Sequence, residues 1–347
     1  MKKTFDNNPS IDQEELHREQ LVEEMERTRY SRIWRQIKKD WPIYLMLIPV
    51  ILYFFFFRYR PIGGIMVAFK NYDDYAISVG QSDFYGLYAF KYIMFGPFAE
   101  RFWQAFRNTF TISMYGLIFG FPVPIVLALM FSEIRNEKYR SITQIISYLP
   151  KFISTVVITS IIALMLTSGN IVQAPGILNA VLVKFGVVEP GVAMLSKPEY
   201  FRSIYIISNI WEGAGYGSIV YFAAIMAISP TNYEAAKMDG ASKLAQIRYV
   251  TLPGMAPTLT IMLILRIGEI LSVGYEKIIL LTGNSGAEIR STAEVISTYV
   301  LSIGGLTTGS SQPNFAAAAD LFNSVIAMFL VIGANFISRR VSDTSLF

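Results

Sequence analysis

The residues of this 347-residue sequence that could do chemistry are polar and charged groups set inside otherwise apolar stretches. Arg266 and Glu269 stand three apart in one such stretch, which puts them on one face of a helix. Asn209, Glu212 and Tyr216 stand at i, i+3 and i+7 in another, next to Trp211, and Asn323 and Ser324 interrupt a third. A charge at the centre of a bilayer costs about 2.5–3.5 kcal/mol on insertion scales, so such groups mark a solute pathway or a pairing between helices. Hydrogen-bonding groups beside aromatic faces are what a hydroxyl-rich solute needs from a cavity wall. Two readings stay open. Either these residues line a pathway, or Arg266 and Glu269 pair with each other or across a subunit interface while the Asn209 face packs helices together.

Several chemistries are disfavoured at once. There is no cysteine, so disulfides, thiolate metal sites, cysteine catalysis and a lipidated N-terminal Cys are excluded. The one histidine, His17, lies in a charged run, which leaves no His-based triad or metal site. No Walker A pattern occurs, so the chain has no P-loop of its own for ATP. A membrane enzyme is further disfavoured by the lack of a clustered carboxylate pair. The net charge of +4 is no argument for nucleic acid, because excess Lys and Arg in a membrane protein mark its cytoplasmic side.

The elements that must hold these residues are membrane helices. Hydrophobic residues make up 53% of the chain and charged ones only 16%, against about 25% charged in soluble domains. About 20 apolar residues span a hydrocarbon core roughly 30 Å thick. Six such spans are expected, at about Trp41–Phe57, Phe110–Phe131 (with Pro122 and Pro124), Ile145–Leu166 (with Pro150 and Lys151 near its start), Ser203–Ile228, Pro257–Leu281 and Phe315–Ile337. The aromatic loop after the first span, with Pro61, Gly63 and Gly64, reads as extended or re-entrant. The polar residues 1–40 read as a cytoplasmic tail and not a cleaved signal peptide, with Arg27, Arg29, Arg32, Arg35, Lys38 and Lys39 holding that end inside. Positive groups recur at Arg135, Lys138 and Arg140, at Lys237, Lys243 and Arg248, and at Arg339 and Arg340, which makes 132–144, 229–256 and 338–347 cytoplasmic too. The expected organisation is a tail (1–40), a first span with an external loop (41–108), a core (109–340) and a short cytoplasmic end (341–347). The GxxxG spacings Gly116–Gly120 and Gly213–Gly217 read as packing signals alone.

Between the fourth and fifth spans the sequence reads Tyr233-Glu234-Ala235-Ala236-Lys237-Met238-Asp239-Gly240-Ala241-Ser242, then Val250-Thr251-Leu252-Pro253. Glu234 to Asp239 is good helix-forming sequence, Gly240 allows a turn, and Pro253 starts a new element. A short surface helix is expected there, followed by a bend back into the bilayer. This pattern resembles the membrane subunits of binding-protein-dependent ABC importers, whose hallmark is Glu-Ala-Ala, three residues, Gly, nine residues, Ile, one residue, Leu-Pro. The single departure is Val250 where the family often has Ile, and it keeps an aliphatic group. Ile228-Ser229-Pro230, Asp239-Gly240-Ala241-Ser242, Pro61-Ile62-Gly63-Gly64, Tyr148-Leu149-Pro150 and Asn335-Phe336-Ile337-Ser338-Arg339-Arg340 are similar to the carbohydrate branch, in particular its polysaccharide and lipoprotein-type permeases.

The resemblance, over roughly 40–340, implies an all-α type I ABC importer permease with a cytoplasmic coupling helix. Glu234, Ala235, Ala236, Asp239, Gly240, Leu252 and Pro253 would then meet an ATPase subunit. ATP and Mg would be bound there, with no cofactor in this chain. The implied partners are a second homologous permease, two ATPase subunits, an extracellular solute-binding protein and membrane lipid, in a bacterial cytoplasmic membrane with both termini inside. The implied cargo is an oligosaccharide or polysaccharide fragment. The competing expectations are an ion-coupled secondary transporter using Arg266 and Glu269, which would call for inverted repeats that the sequence lacks, and an ABC permease for another solute such as a peptide.

Overall fold

The computed structural model describes residues 34–72, 78–169, 174–283, 287–305 and 311–341. The expected tail residues before 34, with His17, Arg27, Arg29 and Arg32, lie outside the described residues, as do 342–347 and the side chain of Arg340. Among the described residues there is no strand, only two isolated bridges, Lys70 with Phe84 and Gly304 with Ser311.

The chain divides into a unit ending at Gly64 and one starting at Ile65. In the first, helix α1 (Trp41–Phe54) has no buried residue, and its side chains from Trp41 to Phe54 are nearly all large, apolar and uncovered. It leads into a π-helical turn, Phe55–Tyr59, and then 3-10 turns, Arg60–Phe69. The stretch with Pro61, Gly63 and Gly64 is therefore helical and not extended. Pro61 lies inside this continuous run, Trp41–Phe69, at the point where its turns change from π to 3-10.

In the second unit, α2 (Tyr88–Phe95) precedes α3 (Ala99–Gly120) and α4 (Pro122–Glu133). Together α3 and α4 make a 35-residue run, Ala99–Glu133, that continues through Pro122 and Pro124 and starts well before the expected Phe110. The polar residues that made its first turns look like loop are answered elsewhere. Arg101 forks onto Glu294, with Nε 3.0 Å from Oε2, and its Nη2 donates to Ser302 Oγ at 2.8 Å. Asn108 Nδ2 donates to the carbonyls of Ser291 and Glu294 at 3.0 Å each, and its Oδ1 accepts from Arg202 at 2.8 Å.

The expected third span is broken. Helix α5 (Glu137–Tyr148) and a 3-10 turn, Leu149–Phe152, meet α6 (Thr155–Leu166) at 99°. Pro150 cannot continue the helical hydrogen bonding, Ile153 and Ser154 are extended, and the Ser154 hydroxyl caps the new helix. After α7 (Ile177–Lys184), helix α8 (Pro198–Met226) runs 29 residues without a break. It packs against α3, α4 and α5 and is the axis of this unit.

A 69° bend leads from α8 into α9 (Pro230–Met238). Helix α10 (Lys243–Gln246) passes through a π turn, Ile247–Thr251, and a short turn, Leu252–Gly254, into α11 (Ala256–Gly268) at 65°. The expected fifth span is also broken, because α11 ends at Gly268 and the helix resumes only at α12 (Tyr275–Thr282). Helices α13 (Ala287–Ala293), α14 (Ile296–Ile303) and α15 (Pro313–Val341) complete the chain. Among the described residues three helices are long and apolar enough to cross a membrane, or six if each bent pair is one span.

The tightest helix approach is not at either GxxxG pair. A Cβ at Gly215 would lie 1.9 Å from the Ser147 carbonyl oxygen, whereas one at Gly213 would meet nothing within 4 Å. Backbone cannot yield as a side-chain tip can, so Gly215→Ala is expected to destabilise by about 1–3 kcal/mol. The check is thermal unfolding in detergent, in which Gly213→Ala keeps the wild-type melting temperature.

Candidate functional site

Two regions gather the polar residues singled out above. The first is a cleft of about 510 Å³ walled by α3, α8, α11 and the broken segment after Gly268. Asn209, Tyr216, Arg266 and Glu269 line it, together with Lys151, Tyr205, Tyr221 and Ser272. Where a helix breaks at membrane depth, its freed backbone groups need protein or water around them, so a break beside a cavity is physically consistent.

Glu212 is held by two cations. Lys277 Nζ donates to Glu212 Oε2 at 2.8 Å and to Asn209 Oδ1 at 2.7 Å, and Lys151 Nζ donates to Glu212 Oε1 at 3.3 Å. The Lys277 side chain is 8% exposed and that of Lys151 46%, so the first pair is buried and the second faces the cleft. The i, i+3, i+7 face therefore does two jobs. Asn209 and Glu212 engage Lys277, while Tyr216 remains open to the cleft with Phe152 packed edge-on at 6.0 Å.

Arg266 and Glu269 do not pair. Both are exposed in the cleft wall, and among the described residues neither makes an ion pair. Glu269 is the C-cap of α11, and its N–H still bonds the Leu265 carbonyl at 3.2 Å, so the two residues stay one turn apart with their side chains unpaired. Trp211 is half exposed and lies outside the cleft lining. Asn323 also lies outside it, and its Nδ2 donates to the Leu271 carbonyl at 3.1 Å, bracing the broken segment.

Sequence reasoning missed Lys277 and gave Lys151 no role. The charged pair Glu276-Lys277 at the head of the apolar run Ile278-Ile279-Leu280-Leu281 was a usable signal, since an ionisable group beside such a run needs a partner.

The second region is the Glu-Ala-Ala segment. Helix α9 ends in a Schellman motif. The Ala241 N–H donates to the Ala236 carbonyl at 2.9 Å, the Gly240 N–H donates to the Lys237 carbonyl at 3.0 Å, and Gly240 takes φ +76°. Glycine is needed there because other residues adopt that left-handed backbone at a cost. Ser242 then caps α10, accepting from the Ala245 N–H at 3.4 Å. Glu234, Ala235, Asp239 and Gly240 are exposed and Ala236 is half-buried. Met238, Leu244 and Tyr249 stand 88%, 80% and 69% exposed beside them, an apolar set ringed by charge.

The base of this segment is anchored inward. Tyr233 and Thr251 share a hydrogen bond of 3.1 Å between their hydroxyls, and Lys243 Nζ reaches Glu133 Oε2 at 2.6 Å. Leu252 packs on the core formed by Ala128, Tyr221, Ile225 and Met255. Pro253 starts the turn before α11.

A family model for the "binding-protein-dependent transport system inner membrane component" matches residues 120–343. Protein LplB of Bacillus subtilis (strain 168) is 33% identical over 311 residues, which is 90% of this chain and 92% of that protein. The polygalacturonan/rhamnogalacturonan transport system permease protein YteP, also of B. subtilis (strain 168), is 34% identical over 305 residues, 88% of this chain and 90% of its own. A chain of a bacterial alginate ABC transporter, solved in complex with alginate pentasaccharide-bound periplasmic protein, superposes with a TM-score of 0.77 and 41% identity. That match covers 91% of this chain and 100% of the other.

The buried part of the Glu212 cluster has a measurable worth. Lys277→Met leaves the carboxylate to Lys151 alone, and a broken buried pair costs about 3–5 kcal/mol, here at the lower end because Lys151 remains. The expected result is a fall in melting temperature, most of which is recovered when Glu212→Gln is combined with Lys277→Met.

Proposed function

This chain belongs to the family of binding-protein-dependent transport system inner membrane components, and on that premise we propose that it is one permease subunit of an ATP-driven importer of carbohydrate. The observation that carries the reading is the Glu-Ala-Ala segment, with its glycine-closed helix set at 69° to α8 and its apolar side chains left bare. A helix of that form suits a groove on a soluble partner. The partner is an ATPase subunit, which binds ATP and Mg and performs the hydrolysis, while this chain performs no covalent chemistry.

The complete assembly comprises this permease, a homologous second one, two ATPase subunits and an extracellular binding protein, with lipid around it. It sits in the bacterial cytoplasmic membrane with both termini of this chain inside. Glu234, Ala235, Ala236, Asp239 and Gly240 meet the ATPase, and Leu252 and Pro253 carry the movement into α11. Asn209, Tyr216, Arg266 and Glu269 line this subunit's half of the pathway. Glu212 and Asn323 hold that half in shape. The pathway switches between inward and outward openings of comparable free energy, which the ATPases and the binding protein bias.

Carbohydrate cargo is supported by the relatives, a permease for polygalacturonan and rhamnogalacturonan and a transporter of alginate. Oligosaccharides or polysaccharide fragments follow as the cargo class. The family match leaves an ion-coupled mechanism without support, and no observation favours a peptide.

The test is copurification in detergent followed by transport. The wild-type chain should bring down an ATPase subunit. Gly240→Val, strained at φ +76°, should weaken that association or uncouple ATP hydrolysis from uptake, whereas Gly240→Asn, which tolerates the left-handed backbone, should retain both. Uptake that proceeds with no nucleotide-consuming partner would overturn the reading.

A further inference from the structure

The charges of the cleft do not balance, and the imbalance speaks to the cargo. Lys151, Arg266 and Glu269 are the charged residues of the lining. Lys277 and Glu212 stand just behind it and neutralise one another through a 2.8 Å ion pair. That leaves two cations against one carboxylate, with Lys151 only loosely committed to Glu212 at 3.3 Å and 46% exposed. Arg266 has no hydrogen bond or ion pair among the described residues, so its five N–H donors are unmatched there.

The position of Arg266 sharpens the point. It stands ten residues into α11 from Ala256, in a helix whose other residues are nearly all apolar or small. A guanidinium in such a stretch is costly unless water or a counter-charge answers it, which is why it faces the cleft. Sugar hydroxyls can accept its hydrogen bonds but leave the charge in place. A carboxylate does both, because its two oxygens match the planar fork of the guanidinium.

The rest of the wall suits a saccharide. Tyr216 offers a half-exposed ring, and Asn209 and Ser272 add polar edges. Gly116, Gly120, Gly213 and Gly217 all line the cleft and keep its walls thin.

We propose that this cleft binds saccharides bearing carboxylates, that is, uronate units, with Arg266 as the bidentate anchor and Lys151 as the second cation. Lys151 exchanges Glu212 for the ligand carboxylate, and Lys277 keeps Glu212 neutralised when it does. This rests on the permease reading and narrows its cargo from carbohydrate to acidic carbohydrate.

The test uses the intact permease–ATPase complex in nanodiscs without the binding protein, whose own preference would otherwise mask the cleft. Calorimetric titration with trigalacturonate and trimannuronate, each also as its methyl ester, measures affinity for the same ring with and without the charge. At least one free acid should bind about tenfold more tightly than its ester, the scale of one charge-assisted contact. Arg266→Gln should reduce that ratio to about one, Arg266→Lys should keep part of it, and Lys151→Gln should lower it independently.

Equal binding of acid and ester overturns the proposal, as does binding of neither, or a loss in Arg266→Gln that falls equally on both. If Arg266→Gln releases the second permease while Lys151→Gln keeps the wild-type ratio, Arg266 is an interface residue and the proposal fails. ATP-dependent uptake by the full assembly, measured alongside, separates the two readings. Its absence for every saccharide would sink the permease function, whereas uptake with no preference for the acid would sink only this inference.

Discussion

Glu212 sits on α8, a long helix that runs unbroken beside the cleft, and it receives ammonium groups from two places where the chain is broken. Lys151 comes from the 3-10 turn ahead of the 99° bend, and Lys277 from the first turn after the interruption that follows Gly268. An interrupted helix leaves carbonyls and N–H groups without partners, and hydrocarbon cannot supply them. The breaks persist because their neighbours answer these needs. One carboxylate fixes two of the turns, Asn323 takes up the Leu271 carbonyl, and Ser297 donates to Val273 at 2.7 Å. The cleft exists because those breaks are held open beside α8.

A second knot holds the opposite part of the core. Arg101, Glu294, Ser302 and Asn108 tie α3 to α13 and α14, and the Arg101 guanidinium also lies 5.5 Å over the Tyr299 ring. Thr109 accepts the Ile296 N–H at 2.9 Å at the start of α14. The two knots use the same device, a charge committed to a partner far along the chain. They differ in that the Arg101 guanidinium is committed to Glu294 and Ser302, while the knot beside the cleft keeps a cation facing open space.

That device also explains which parts of the molecule were legible in sequence. Long apolar runs announced the spans, and the Glu-Ala-Ala pattern announced the bend and the glycine-closed helix, because both are written in consecutive residues. The interruptions were harder to read, because Pro150 also fits a kinked span and Glu269, Ser272, Gly274, Glu276 and Lys277 are interspersed with apolar residues. Their cause is tertiary: Lys277 finds Asn209 and Glu212 across 68 and 65 residues. The early start of α3 was hidden for the same reason, because Arg101 reads as a loop residue until Glu294 is seen 193 residues away. Spacing placed Arg266 and Glu269 on one helical face, and both line the cleft without forming the ion pair that spacing permits.

The glycines along the cleft have one more consequence. Gly116, Gly120, Gly213 and Gly217 offer hydrogen atoms where other residues would offer side chains, and a wall without side chains has no rotamers to flip. The glycine-lined stretches of the cleft therefore widen only when helix backbones move apart, whereas Leu117, Tyr216, Leu265 and Arg266 can reshape the rest of its wall by changing rotamer.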